Sequence, residues 1–378
     1  EQGFIAWDCA RDPLSNGPYL MKEWAVGDHM TFKRNPDYYL APKPVIDEIT
    51  VRIVPDETVR KTMLQQGDVQ VYPWITEPIA FDLKDATGVT VDITENPRWV
   101  MRLFPNLAER GSTDPAQPHP ILSDLSVRKA IQAAIDVDTI SSQVWYGYST
   151  PQWTEFFRPP YNQCDIPRPA YDPQTARQML EEAGWTDSDG DGVRECNSCA
   201  TAEAGTKMEL EMITYSEYGE VLLLTQQLIG EMLGKIGISV RLTVMEGSVM
   251  WADYASGGIE QQGDFDIDLY DDGYAGLDPT DFLWQYYATD AIEPDMGWNV
   301  GRWSNGDFDV LLGEAYTLDE AYRQELFCQM AEILDAEVPQ ILLFTTINGD
   351  GFSSQLANLR ANPNDMVTWN VADWEFKP

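Results

Sequence analysis

The chain has 378 residues, 43 % of them hydrophobic, enough to bury a large core and, by length, to form about two or three domains. Sixty-two acidic against twenty-five basic residues give a formal charge of −37, which argues against binding nucleic acid or an anionic membrane surface. No run approaches the ~18 apolar residues of a membrane helix and no charged-then-apolar leader opens the chain, so the expectation is a soluble chain, mature or cut.

In chain order, "IDEITVRIV" alternates Ile49, Val51 and Ile53 on one face and predicts a strand. Pro55 and an N-capping Asp56 then open a short helix ending at Gly67, and "DVQVY" reads as a second strand. Strand, helix and strand in quick succession indicate an α/β layer. Val127, Ala130, Ile131, Ala134 and Ile135 form a helical stripe opened by Asp124 or Ser126. In "YDPQTARQMLEEAGW", Asp172 caps, Pro173 fills the first turn, Ala176, Met179, Leu180 and Ala183 face inward and Gly184 stops the helix. A longer helix is expected from Glu217 to about Ile236, broken by Gly237 before the strand "ISVRLTV". The last pair is a helix from Asp319 and the buried strand "QILLFTTI".

Between two of these elements lies "DSDGDGVRECNSC". Asp187, Asp189, Asp191 and Glu195 occupy the first, third, fifth and ninth places of an EF-hand-like loop, and Ser198 stands at the twelfth. The missing twelfth-place glutamate argues against a tight calcium switch, and two readings stand: a static calcium clip of modest affinity, or a solvated Asp/Gly turn. Any calcium would be structural, and no other cofactor is called for. The five cysteines are an odd number in a long chain and make no dense framework. A zinc knuckle would need four ligands, and His29 and His119 are the only histidines. A redox site would open a helix after a strand, which this acidic loop does not. A local disulfide between Cys196 and Cys199, pinning the loop, is the reading that remains.

Five segments in order, "NGPYLMKEWAVGDHMTFKRNPDYY", "IDEITVRIVPDETVRKTMLQQGDVQV", "LSVRKAIQAAID", "YDPQTARQMLEEAGWTDSDGDG" and "WSNGDFDVLLGEA", resemble the extracytoplasmic solute-binding proteins of family 5 that serve ABC importers. The resemblance covers nearly the whole chain and implies an α/β, two-lobed, type II periplasmic-binding-protein fold. Members begin well upstream of "GPY", so the chain resembles the C-terminal portion, lacking the front of the first lobe. Residues 1–94 would then be part of the first lobe, 95–340 the second lobe and 341–378 the return. The implied function is capture of a small solute between the lobes and delivery to a membrane permease. The protein would be a periplasmic or lipid-anchored monomer, without enzyme activity.

The residues themselves agree that catalysis is not encoded in a familiar form: there is no Gly-x-Ser-x-Gly elbow, no phosphate-cradling loop and no His-Glu-x-x-His. An exported glycoside hydrolase is the alternative of another class, supported only by the acids and aromatics. A binding cleft needs apolar plates and a few placed polar groups. Trp74 in "VYPWITEP", and Arg98 and Trp99 in "TENPRWVMRLFPN", lie beside the implied lobe crossings and are candidate walls. In oligopeptide-binding relatives, a segment similar to "DLYDDGYAGLDPTDFLWQYY" carries an aspartate that holds the peptide α-amine. Aligned on Asp278–Pro279 without gaps, that place is Ala275, a departure; Asp271 or Asp272 takes it if the loop shifts. Tyr270, Tyr274 and Trp284 would instead stack on sugar rings. Peptide is the first choice of solute and oligosaccharide the second.

Overall fold

The computed structural model describes residues 13–40, 42–94, 98–362, 364 and 366–378; Cys9 lies outside them. The strands are β1 (Tyr19–Ala25), β2 (His29–Arg34), β3 (Glu48–Arg52), β4 (Val71–Tyr72), β5 (Val89–Ile93), β6 (Val100–Pro105), β7 (Trp185–Thr186), β8 (Glu195–Cys196), β9 (Glu209–Tyr215), β10 (Ser239–Met245), β11 (Ile267–Asp272), β12 (Ile341–Thr345), β13 (Gly349–Ser353), β14 (Leu356–Ala357) and β15 (Glu375–Phe376). The chain divides into two compact units, Glu1–Glu95 with Ile347–Pro378, and Asn96–Thr346.

In the first unit β1, β2 and β3 form an antiparallel meander. The strand expected around Ile49 forms, but Val51 and Ile53 on its apolar face remain 42 % and 45 % exposed. A second sheet has the order β4-β13-β5 and incorporates the returning chain as its central strand. The helix Glu57–Gln66 starts where expected, with Asp56 Oδ1 accepting the Val59 amide at 2.8 Å, and ends at Gly67, whose φ of 81° favours glycine. Its Leu64 and the Leu83 of helix Glu77–Leu83 press on Gly351 of β13: a Cβ there would sit 3.0 Å from Leu64 and 3.4 Å from Leu83.

The second unit is built on one five-stranded sheet of order β10-β9-β11-β6-β12. β9, β10 and β11 run parallel, whereas β6 is antiparallel to both β11 and β12. Strand alternation sorts its side chains into two cores. Met101, Leu103, Leu210, Met212, Ile267, Leu269, Ile341 and Leu343 join the helices Leu125–Ala134, Pro173–Glu182 and Glu220–Gly234 on one face. Phe104, Ile213 and Tyr270 join Thr280–Tyr287, Gly306–Glu314 and Glu320–Glu337 on the other. Helices thus cover both faces, which explains why "QILLFTTI" is continuously apolar rather than alternating.

Two expected boundaries move. The return to the first unit was expected at Ile341, yet Ile341–Thr345 pairs with β6 as the edge strand of the second sheet, and the chain leaves at Ile347. The helix expected from Glu217 begins at Glu220, because the Glu217 carboxylate instead accepts the Gly247 amide at 2.9 Å.

Candidate functional site

In the second unit four strands, β9, β10, β11 and β12, end at the same edge of the sheet, where β6 begins. The carboxyl edge of an open α/β sheet is where such folds collect ligand groups, and here it gathers Tyr215, Asp271, Asp272, Trp99 and Thr346. Asp271 Oδ1 accepts the Tyr215 hydroxyl at 3.2 Å and its Oδ2 accepts the Thr346 hydroxyl at 2.8 Å. Asp272, one residue on, faces the other side: its Oδ1 accepts the Gly273 amide at 2.6 Å and its carbonyl accepts Arg102 Nη2 at 3.0 Å. Gly273 is required by a close approach, since a Cβ would lie 1.8 Å from the Arg98 carbonyl oxygen. That contact locks the end of β11 against Arg98 and Trp99, whose own side chains stack with the guanidinium 4.4 Å from the ring centroid.

Burial sets the electrostatics of this edge. Desolvation raises the Asp271 carboxyl against the hydrogen bonds from Thr346 and Tyr215, and pushes Asp272 up to about 7 against the pull of Arg102. Arg102 is wholly buried; desolvation opposes its charge, but Glu155, Tyr287 and Asp272 hold the guanidinium protonated. It forms an ion pair with Glu155, which also accepts the Tyr287 hydroxyl, and it donates to Gln340 Oε1 at 3.1 Å. Deeper on the same face, Glu260 and Asp268 are both fully buried. Burial and the neighbouring Asp268 charge drive Glu260 well upward, and burial drives Asp268 up to about 7. Sequence reasoning missed Arg102, Glu155, Glu260 and Asp268. For Arg102 and Asp268 the available signal was a charged residue inside an apolar strand run, in "VMRLFP" and "FDIDLY"; Glu155 and Glu260 carried no such signal.

The other candidate residues fall in different places. Tyr270 is 4 % exposed, its ring stacked on Phe104 at 4.2 Å, and so is a core plate. Tyr274 is also buried; its carbonyl accepts Arg158 Nη1 at 2.8 Å and its ring lies 5.0 Å from that guanidinium. Trp284 packs half-buried against the same core, while Ala275 is exposed. Trp74 belongs to the first unit, 57 % exposed at a φ of 52°, with its amide donating to Asp350 Oδ1 at 3.1 Å. The histidines are structural: buried His119 accepts the Ile121 and Leu122 amides at Nδ1 and donates from Nε2 to Asp266 at 3.2 Å. His29 Nδ1 lies 2.8 Å from Asp28.

The acidic segment is the turn of the β7-β8 hairpin. Asp187 accepts the Gly190 and Gly192 amides at 2.7 and 3.0 Å, and both glycines have positive φ. Asp187, Asp189 and Glu195 bring ligand oxygens within 4.8 Å of one another. Asp191 is not part of this group: its carboxylate pairs with Lys207, which also binds Asp189 at 3.1 Å. Cys196 and Cys199 are disulfide-bonded, and so are Cys164 and Cys328, a pair 164 residues apart that the sequence reading did not identify.

Known proteins of this architecture can now be set beside it. The structure is similar to that of NikZ from Campylobacter jejuni in complex with Ni(L-His), with a TM-score of 0.80 at 21 % identity over 98 % of this chain and 70 % of that one. It is also similar to AppA from Bacillus subtilis in complex with a nonapeptide, with a TM-score of 0.76 at 22 % identity over 96 % of this chain and 66 % of the other. The fold is therefore the α/β type II fold of the periplasmic binding proteins. The model of bacterial extracellular solute-binding proteins, family 5, matches residues 2–294, and the chain belongs to that family. Among characterised relatives, the oligopeptide-binding protein AppA of Bacillus subtilis is 25 % identical over 369 residues, 96 % of this chain. The glutathione-binding protein GsiB of Pectobacterium atrosepticum is 25 % identical over 368 residues, again 96 % of this chain. The chain spans 62 % and 64 % of the length of these two relatives.

Proposed function

We propose that this chain is the solute-binding component of an ABC importer, acting outside the cytoplasm and handing an oligopeptide to a membrane permease. Family membership supports the binding role, and the relatives named for oligopeptides and for glutathione, itself a small peptide, support the solute class. The observation that carries the peptide reading is Asp271, an acid at the carboxyl edge of the sheet held by Tyr215 and Thr346. A peptide α-amine is cationic at neutral pH, and a desolvated carboxylate is the group that gains most from pairing with it. The oligosaccharide alternative needs free ring faces; of the three rings named for it Tyr270 and Tyr274 are covered, and Trp284 is half-buried.

Thermal-shift and calorimetric titration of the full-length protein with short peptides tests this. Peptides with a free α-amine are expected to bind, while their N-acetylated forms, and the Asp271→Asn variant with free peptides, should lose at least about tenfold in affinity, the worth of ~1.4 kcal/mol. Equal binding of acetylated peptides would remove Asp271 from its role. A response to oligosaccharides but not to peptides would overturn the solute class.

A further inference from the structure

The hairpin turn from Asp187 to Glu195 takes no part in the solute reading. We propose that Asp187, Asp189 and Glu195 bind one calcium ion that stabilises this hairpin. The three ligand oxygens lie within 4.8 Å of one another. Calcium accepts oxygen ligands in flexible, irregular geometry, whereas magnesium demands near-ideal octahedral geometry and dehydrates reluctantly. Three carboxylates drawn from one turn suit the more tolerant ion.

An independent observation points the same way. Glu195 is only 9 % exposed, and while its Oε1 accepts the Ser188 amide at 3.0 Å and the Ser188 hydroxyl, its buried Oε2 has no hydrogen-bond partner among the described residues. A buried carboxylate oxygen without a donor is costly, and a cation shared with Asp187 and Asp189 would satisfy it. Glu195 is fixed in that position: it pairs with Thr186 across the hairpin, and the next residue is tied by the Cys196–Cys199 disulfide. Lys207 neutralises the outer side of the turn through Asp189 and Asp191, which takes Asp191 out of the ligand set expected from spacing.

The site is separate from the solute edge. Cys196 bonds to Thr206 and Arg194 to Gly237 and Met208, residues that lie at or just before the amino ends of β9 and β10. Tyr215 and Asp271 lie at the carboxyl ends, and the seven residues of β9 span about 20 Å. Calcium at the hairpin therefore acts on stability and leaves solute binding unchanged.

Calcium chloride titrated into chelator-treated protein should give one saturable site, with a dissociation constant of roughly 10⁻⁴ to 10⁻³ M, the range of extracellular modules. Magnesium chloride should bind more weakly than calcium. At calcium one hundred times that constant the folded-to-unfolded ratio should rise about a hundredfold, read as an increase in Tm. The exposed pair Asp187→Asn with Asp189→Asn tests the site without disturbing the core. This double variant should lose the calcium heat and the Tm increase while binding peptide as the wild type does. Glu195→Gln should weaken calcium at least about tenfold. Terbium, excited through Trp185 two residues before Asp187, gives a second readout: luminescence that calcium displaces in the wild type and that is absent from the double variant. No saturable calcium binding to the wild type, or binding that survives in the double variant, would overturn the proposal. Loss of peptide binding in a folded double variant would overturn the separation of the two sites.

Discussion

Replacing Asp268 by Asn should make the protein more stable at alkaline pH and flatten its stability profile. Asp268 is fully buried on β11, and among the described residues neither carboxylate oxygen has a hydrogen-bond partner of ordinary geometry. Burial raises its carboxyl from 3.8 to about 7, while the Glu260 carboxyl and the Leu269 amide pull the other way. The folded state therefore holds more protons than the unfolded chain between those two values, and stability falls as pH rises through that window. At one pK unit per 1.36 kcal/mol, and relative to acid where the group is protonated in both states, the raised carboxyl costs ~2 kcal/mol at pH 5, where only the unfolded chain has released the proton, and ~4 kcal/mol at pH 8, where the folded one has ionised too. An Asn fills the same volume without a titrating proton, so the pH 8 penalty should largely disappear. Across a unit of this size 1 kcal/mol moves Tm by about 2–4 °C, so the wild type should lose about 5–10 °C between pH 5 and pH 8 from this group and the variant should not. The assay is thermal unfolding followed by circular dichroism across that range, with the variant curve subtracted from the wild type so that the general repulsion of a chain of charge −37 cancels. Parallel curves would refute the reasoning, since they would mean that Asp268 titrates alike in the folded and unfolded chains.

Two further outcomes follow from the second unit. Glu155→Gln strands the wholly buried Arg102 charge and should cost ~3–5 kcal/mol in urea unfolding, whereas replacing both partners, Glu155→Leu with Arg102→Met, should recover most of that loss; a single variant within ~0.5 kcal/mol of wild type would show the pair to be water-accessible. The two disulfides should differ in weight: the Cys164–Cys328 link closes a loop of 164 residues and is worth about 5 kcal/mol by chain entropy, against ~2 kcal/mol for the Cys196–Cys199 link across a separation of 3. Paired Cys→Ala variants compared by Tm check the order, and a larger loss from the local pair would reverse it.

The helices were legible because their ends are written in local chemistry. Asp56 and Asp172 each accept amides from the first turn, as the spacing predicted, Asp319 does the same at the start of the helix expected from it, and Gly67 and Gly184 follow the helices they stop with positive φ. Strand existence was also legible, but strand environment was not. Ile49, Val51 and Ile53 alternate as a buried face should, yet two of the three are exposed, because alternation reports a face and not what covers it. The five residues from Ile341 could not be assigned to a unit from their own composition. Their place depends on β6, more than two hundred positions earlier, offering a free edge.

The site divides along the same physical line. Asp271 and Asp272 were both visible as candidates, but consecutive strand residues point to opposite faces, and only the neighbours brought in by the sheet distinguish them. Tyr215 and Thr346 come from separate strand ends to meet Asp271, while Arg102 reaches the Asp272 carbonyl from the adjacent strand. Tyr270 carries the same composition signal as a ligand-stacking tyrosine, and the register that pairs it with Arg102, two residues from Phe104's partner Asp268 and on the same face, places it in the core. The acidic hairpin shows the converse. Its spacing selected four carboxylates, of which three converge, and the fourth is diverted by Lys207, a residue that no loop motif includes. Local spacing therefore nominates charged groups, and long-range pairing decides which of them share a space. For that reason a test at Asp271 bears on the solute, a test at Asp187 and Asp189 bears on the metal, and neither result can stand in for the other.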